Sequence, residues 1–239
     1  MLVIERKPNS MDAEAYRSLR ANVEFLALDK KHKVIIITSY LAGEGKSIVA
    51  ANLAYSLANG HKKVLLLDFN FRNPSIHQKF NLSNSYGMAD YFLNGSKFDE
   101  VVEEYCENLY IIPSGITYEN PADLLNSNKV EEFLTEAKET VDYIIIDTPS
   151  LETFVDAQIM AMKADGVILV TDSKNTKREQ LAEAIDKINK ANGDIIGIVL
   201  NDVKRGRNKK RKKRNRRKQA NIGEDEGIKE VHPRSYMEV

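Results

Sequence analysis

Six short runs of mostly branched aliphatic residues divide the first 203 positions of the sequence. The runs are VIIIT (34–38), KVLLLDF (63–69), LYIIPS (109–114), DYIIIDT (142–148), GVILVTD (166–172) and IIGIVLN (195–201). Each is long enough for one β-strand, and each is too continuously apolar for a strand with one face in water. The runs therefore predict a parallel sheet that is covered on both faces.

Segments of helical length separate these strands, at about 45–59, 88–94, 129–140, 155–163 and 176–192. Another helix, 12–28, precedes the first strand, and its apolar residues gather on one face. Alternating strands and helices are typical of an α/β fold with a doubly wound parallel sheet and right-handed crossovers. We therefore predict one α/β domain over residues 1–203.

The chain is neutral overall, but its charge is unevenly distributed. Residues 204–218 (KRGRNKKRKKRNRRK) contain 12 basic residues among 15, whereas residues 1–203 contain 30 acidic and 21 basic residues. The apolar pattern ends at Asp202, so we predict that 204–239 is a disordered basic tail. Three interpretations of the basic run are open: no partner, an anionic membrane surface, or nucleic acid.

The residue counts disfavour several classes of protein. Cys106 is the single cysteine, so no internal disulfide can form, and a reducing cytoplasm is the expected location. The four histidines show no spacing typical of a metal site. We expect no membrane span, because no run reaches about 18 apolar residues, and no signal peptide in MLVIERKPNS.

The stretch SYLAGEGKSIVAANLA (39–54) follows the first strand and opens a helix. Its Gly-Lys-Ser triplet is the core of a phosphate-binding loop, in which backbone N–H groups face the phosphates. Tyr40 replaces the first glycine of the usual pattern, which removes no ligand. We expect Lys46 to reach the β- and γ-phosphates of ATP and the Ser47 hydroxyl to bind Mg²⁺. The predicted nucleotide contacts are Gly43, Glu44, Gly45, Lys46, Ser47 and Ile48.

Two later strands each carry an aspartate near the carboxyl end. Asp68 follows VLLL, and Asp147 follows YIII. Carboxylates at the carboxyl ends of parallel strands lie where open α/β sheets bind their ligands. Asp147 fits the Walker B acid of nucleotide-binding proteins, which holds Mg²⁺.

The order of the segments EAYRSLR, GEGKSIVAANLA, LLLDFNFRNPSIH, NPADLLNS, YIIIDTPS and DAQIM resembles the bacterial tyrosine kinases of capsule and exopolysaccharide synthesis. The resemblance covers about residues 1–203. It implies a P-loop NTPase fold with Walker A, A′ and B motifs, and an Mg-ATP-dependent protein-tyrosine kinase. It also implies that Asp68 accepts the tyrosine proton or positions the metal, that Asp147 completes the Mg²⁺ shell, and that Asn201 lies beside the adenine.

The resemblance extends to assembly. Glu14, Arg17 and Arg20 match the E-x2-R-x2-R motif through which subunits of the family form rings, which implies a homo-oligomer. It further implies a membrane-embedded polysaccharide co-polymerase as activator and a cytoplasmic location at the inner face of the cell membrane. For this reason we favour an anionic membrane over nucleic acid as the ligand of 204–218.

The sequence departs from the family pattern in two places. The usual Asp-x-Asp-x-Arg of the Walker A′ motif is here Asp-Phe-Asn-Phe-Arg, with Asn70 at its centre. Asn70 can hold a metal-bound water but carries no charge and accepts no proton, so weaker Mg²⁺ binding is expected. The tyrosine cluster usual at the end of the family's chains is missing, which leaves Tyr236 as the candidate phosphosite.

These departures leave two alternatives to an active kinase. One is a catalytically weakened ATP-binding regulator of the same membrane complex. The other is a partition-type ATPase with a DNA-binding tail, which Leu41 disfavours because such ATPases carry a signature lysine at this position.

Overall fold

A computed structural model describes residues 2–29, 32–115, 118, 120–203 and 236–238 of the chain. The basic run 204–218 lies outside these residues. The strands are β1 (Val34–Ser39), β2 (Val64–Asp68), β3 (Glu103–Cys106), β4 (Leu109–Ile112), β5 (Tyr143–Asp147), β6 (Gly166–Asp172), β7 (Ile195–Asn201) and β8 (Tyr236–Glu238). The helices are α1 (Val3–Arg6), α2 (Met11–Asp29), α3 (Lys46–Asn59), α4 (Ile76–Phe80), α5 (Phe98–Val101), α6 (Pro121–Asn126), α7 (Asn128–Thr140), α8 (Asp156–Lys163) and α9 (Arg178–Lys190), with a π-helix at Asp90–Asn94.

The described strands form one sheet in the order β3-β4-β2-β5-β1-β6-β7-β8. All neighbours pair in parallel except β3 and β4, which are antiparallel. The predicted α/β fold with a doubly wound sheet is confirmed, and the six predicted strands correspond to β1, β2 and β4 to β7.

Both faces of the sheet are buried, because alternate residues of each central strand enter different cores. In β1, Val34 and Ile36 join the core beneath α6 to α8, whereas Ile35 and Ile37 join the core beneath α2 and α3. Continuous apolar runs are needed for a sheet with helices on both sides, since neither side is left in water. None of the helices in the described part of the chain is long and apolar enough to cross a membrane.

Several elements differ from the sequence prediction. The edge strand β3 has two exposed and two half-buried residues and no apolar run, so its pattern carried no strand signal. The short helices α1, α4, α5 and α6 were also missed. β8 lies within the tail that was predicted to be disordered, and it pairs in parallel with β7 through its backbone, with Tyr236 opposite Ile198.

Asn52 of α3 holds the N-terminal segment against the domain. Its Oδ1 accepts the backbone N–H of Val3 at 2.8 Å and that of Ile4 at 3.3 Å, while its Nδ2 donates to the carbonyl of Ile48 at 2.9 Å. The side chain is buried, so no water can replace these bonds. One amide therefore joins α1 to α3.

We predict that Asn52→Ala lowers the free energy of unfolding by about 1–3 kcal/mol, because the bonded N–H groups lose their acceptor. For a chain of this size, each kcal/mol corresponds to a fall in Tm of about 2–4 °C. Thermal unfolding measures the change, with Asn59→Ala, an exposed position on the same helix, as control. Equal Tm values for the two variants would contradict the assigned role.

Candidate active site

The loop between β1 and α3 has the backbone of an anion site. Gly43 and Gly45 have φ of +84° and +94°, a region that other residues rarely adopt. A Cβ on Gly45 would lie 2.1 Å from Nδ2 of Asn201, so this position also requires glycine for space. No side chain caps the start of α3, which leaves the first N–H groups of that helix available to phosphate oxygens.

Tyr40 stands at the first position of this loop, and the structure gives it a role that glycine could not have. Its hydroxyl donates to Oε2 of Glu183 at 2.6 Å, and the amine of Lys187 lies 5.5 Å from the centre of its ring. The hydrogen bond with Glu183 raises the pKa of Tyr40 to about 12. Tyr40 therefore joins the start of the phosphate loop to α9.

Two buried carboxyl groups lie side by side next to the loop. β5 runs between β1 and β2, and Asp147 is in register with Asp68 on one side and Ile37 on the other. Both oxygens of Asp68 accept backbone hydrogen bonds: Oδ1 accepts the N–H of Asn70 at 3.1 Å, and Oδ2 accepts those of Ser75 and Ile76, both at 3.0 Å. Among the described residues, neither oxygen of Asp147 has a hydrogen-bond partner.

The two carboxyl groups are electrostatically unfavourable in the free protein. Burial raises the pKa of Asp147 to about 7, and the neighbouring charge of Asp68 acts in the same direction. Burial likewise raises the pKa of Asp68 to about 6, although its three backbone hydrogen bonds act to lower it. Lys46 lowers both pKa values through its charge. Ser47 is close enough to lower the pKa of Asp147, although its hydroxyl lacks hydrogen-bond geometry to either carboxylate oxygen.

The residues present fit Mg²⁺ held together with a nucleotide. A buried, unpartnered carboxylate next to the Ser47 hydroxyl offers oxygen ligands, which Mg²⁺ prefers. In the described part of the chain, no group of three or more His, Cys, Asp and Glu side chains could hold a metal alone. This is the usual case for Mg²⁺, which takes one or two carboxylates and completes its shell with water and phosphate oxygens.

The loop after β2 is fixed by an ion pair that sequence reasoning missed. Nε of Arg72 lies 2.9 Å from Oδ2 of Asp156, Nη2 lies 3.3 Å from Oδ1, and the guanidinium stacks 4.1 Å from the ring centre of Phe154. Asp156 is fully buried at the start of α8. The segment DAQIM contained this residue, but nothing local in the sequence indicated its partner.

Asn70, a predicted metal residue, makes a local bond in the same loop. Its Oδ1 accepts the N–H of Asn73 at 3.2 Å, and its side chain is almost fully buried. Asn201, predicted beside the adenine, donates from Nδ2 to the carbonyl of Glu44 at 3.0 Å. Ile48, by contrast, is 40% exposed in the first turn of α3.

The remaining predicted residues lie on other elements. Arg17 pairs with Glu14 at 3.0 Å on the exposed side of α2. Arg20 instead points to α3, where Nη1 donates to the carbonyl of Ser56 at 2.9 Å. The strand β8, which contains Tyr236, is at the far edge of the sheet from β2.

We predict that Asp147→Asn stabilises the protein in the absence of Mg²⁺ and nucleotide at pH values above about 4, with the full effect reached above about pH 7. Below about pH 4 the wild-type carboxyl is neutral and costs no free energy of unfolding. Because its folded-state pKa is raised from 3.8 to about 7, it destabilises the fold increasingly as the pH rises toward and through 7. The difference in Tm between the variant and wild type should therefore grow from pH 4 to pH 8. Asp123→Asn, at an exposed position, is the control. A difference that is independent of pH would contradict the burial of an ionisable Asp147.

Comparisons with known proteins agree with this geometry. A family model described as an AAA domain matches residues 32–198. The tyrosine-protein kinase YwqD of Bacillus subtilis (strain 168) is 39% identical over 199 residues, which cover 83% of this chain and 84% of YwqD.

Two solved structures are similar over most of the domain. The chimerical protein CapA2B2 has a TM-score of 0.82 and 31% identity, over 85% of this chain and 90% of the other. The kinase domain of the Escherichia coli tyrosine kinase ETK has a TM-score of 0.80 and 26% identity, over 84% of this chain and 79% of the other. The chain therefore belongs to the bacterial tyrosine kinase family and has the P-loop fold of its kinase domains.

Proposed function

We propose that this chain is an Mg-ATP-dependent protein-tyrosine kinase that acts in the synthesis and export of capsular or extracellular polysaccharide. The observation that carries the proposal is the buried, unpartnered carboxylate of Asp147 beside an uncapped helix N-terminus. This pairing supplies a place for a divalent cation next to a place for phosphate. The names of the similar kinases supply the reaction class.

Phosphoryl transfer depends on positioning and charge neutralisation, and the site offers groups for both. The phosphate loop would hold the β- and γ-phosphates through backbone N–H groups and the ammonium of Lys46. Bound Mg²⁺, held by Ser47 and Asp147, would neutralise negative charge on the phosphates. Asp68 can accept the proton of the attacking tyrosine, since an ionised carboxylate has about four acceptor positions and three are used by backbone N–H groups.

We propose Tyr236 as the acceptor, phosphorylated by a neighbouring copy. β8 lies five strands from β2, which is about 24 Å at the usual spacing of about 4.8 Å. The docked position of Tyr236 is therefore far from Asp68 of its own chain. A ring-like homo-oligomer that uses the exposed Glu14 and the partly exposed Arg17 of α2 would bring in a second chain. Arg20 is instead bonded to the carbonyl of Ser56 in α3.

The proposed cellular setting follows from the same family. We propose a location at the inner face of the cell membrane, with a membrane-embedded polysaccharide co-polymerase as activator. The basic run 204–218, outside the described residues, would bind anionic lipid at about 1 kcal/mol for each basic residue near the surface.

A second candidate function is an ATP-binding regulator with weakened catalysis. The specific observation in its favour is Asn70, whose carbonyl is already engaged by the N–H of Asn73 and which has no charge to offer a metal. In this case the nucleotide site would remain, while transfer to tyrosine would be slow or lost.

Mass spectrometry of phosphotyrosine after incubation with Mg-ATP separates these functions. We predict phosphate on Tyr236 in the wild type and none in Lys46→Met, because the variant lacks the cation that neutralises the phosphates. Asn70→Asp, which restores the usual acid, should be phosphorylated at least as fast as the wild type. Phosphotyrosine in Asn70→Asp alone would favour the regulator. Absence of phosphotyrosine from all three proteins would contradict the proposal that this chain is a tyrosine kinase without a partner protein.

A further inference from the structure

Glu44 is buried inside the phosphate loop, with only 2% of its surface exposed. Its backbone belongs to the predicted nucleotide cradle, but its side chain has no part in the chemistry proposed above. A buried carboxylate is unfavourable unless several donors satisfy it. The donors that surround Glu44 therefore indicate its role.

The two carboxylate oxygens of Glu44 face different parts of the chain. Oε2 accepts the backbone N–H of Leu41 at 2.7 Å, within the phosphate loop itself. Oε1 accepts the N–H of Asp172 at 3.3 Å and the hydroxyl proton of Thr176. The second set of donors belongs to the loop 172–176, which begins at the last residue of β6 and leads toward α9.

The end of β7 joins the same network. Asn201 donates from Nδ2 to the carbonyl of Glu44 at 3.0 Å, and its own carbonyl accepts the N–H of Ser173 at 2.9 Å. Within the loop 172–176, the Thr176 hydroxyl also accepts the N–H of Asp172 at 2.9 Å. The phosphate loop, the loop 172–176 and the end of β7 are therefore held to one another through Glu44.

The strand order places this network on one side of the phosphate site. β5 and β2, which carry the two buried aspartates, lie on one side of β1, and β6 and β7 lie on the other. A nucleotide with its phosphates over the start of α3 and its metal next to Asp147 would have its nucleoside on the β6–β7 side, where Asn201 lies. Glu44 thus stands between the phosphate side and the base side of the site.

We propose that Glu44 is a positioning residue that ties the phosphate loop to the loop 172–176, so that both sides of the nucleotide site are held in one arrangement. The inference rests on the proposed function, since it takes an adenine nucleotide as the ligand. The side chain of Glu44 acts through Leu41 and Thr176 and not by touching the nucleotide.

The chemistry of this link requires a carboxylate. The two oxygens accept hydrogen bonds from different loops, Oε2 from Leu41 and Oε1 from Asp172 and Thr176, so glutamine has the right size but offers only one acceptor oxygen. Its amide group would face either the N–H of Leu41 or that of Asp172, donor against donor. Glu44→Gln should therefore break the link on one side without opening a cavity.

The test measures the Kd of Mg-ADP by calorimetry for the wild type, Glu44→Gln, Thr176→Val and the double variant. We expect the Kd of Glu44→Gln to be roughly 10-fold higher than that of the wild type, since a buried N–H loses its acceptor. Thr176→Val should also weaken binding, and the double variant should bind about as well as Glu44→Gln alone, because both changes break one link. Glu131→Gln and Thr135→Val, at exposed positions of α7, are the controls and should bind as the wild type does.

Wild-type affinity in Glu44→Gln would overturn the inference while leaving the proposed function intact. Fully additive losses in the double variant would also overturn it, because Glu44 and Thr176 would then act separately. Failure of the wild type itself to bind Mg-ADP would refute the nucleotide site and the inference together. A destabilised Glu44→Gln would show as a lower Tm, and Thr176→Val, which removes one hydroxyl, would then decide whether the link matters.

Discussion

The parallel pairing of β5 with β1 and β2 is the constraint on which the rest of the site depends. It places Asp147 beside Asp68 in register and next to the strand that leads into the phosphate loop. Because side chains alternate across a strand, a slip of one residue would turn Asp147 toward the opposite face of the sheet. The apolar runs of these strands prevent such a slip by filling two separate cores, so the hydrophobic pattern that makes the fold also aligns the site.

The two neighbouring aspartates have different roles because their hydrogen bonds differ. Asp68 is committed to three backbone N–H groups and thereby shapes the turn into α4. Asp147 has no such partners in the described structure, although it is equally buried. A group of this kind costs stability in the free protein, and a cation at the site would remove that cost. The free protein is therefore less stable than it would be if this buried carboxylate had hydrogen-bond partners.

The sequence was informative where structure is encoded in neighbouring residues. The central strands appear as apolar runs, and the phosphate loop appears as glycines between a strand and a helix. The links that hold the site together could not be predicted in this way. Arg72 and Asp156 are 84 positions apart, and Glu44 and Thr176 are 132 apart. Such pairs depend on how the strands are ordered, and β3 was missed because its exposed residues show no apolar run.

The role proposed for the site requires Asp147 to couple Mg²⁺ binding to nucleotide binding. Titration of ADP into the wild type and into Asp147→Asn, each with and without Mg²⁺, measures that coupling. We expect Mg²⁺ to tighten ADP binding to the wild type by about 10-fold or more and to have little effect on the variant. An equal effect of Mg²⁺ on both proteins would show that this buried carboxylate does not bind the metal, and the proposed Mg²⁺ site would be wrong.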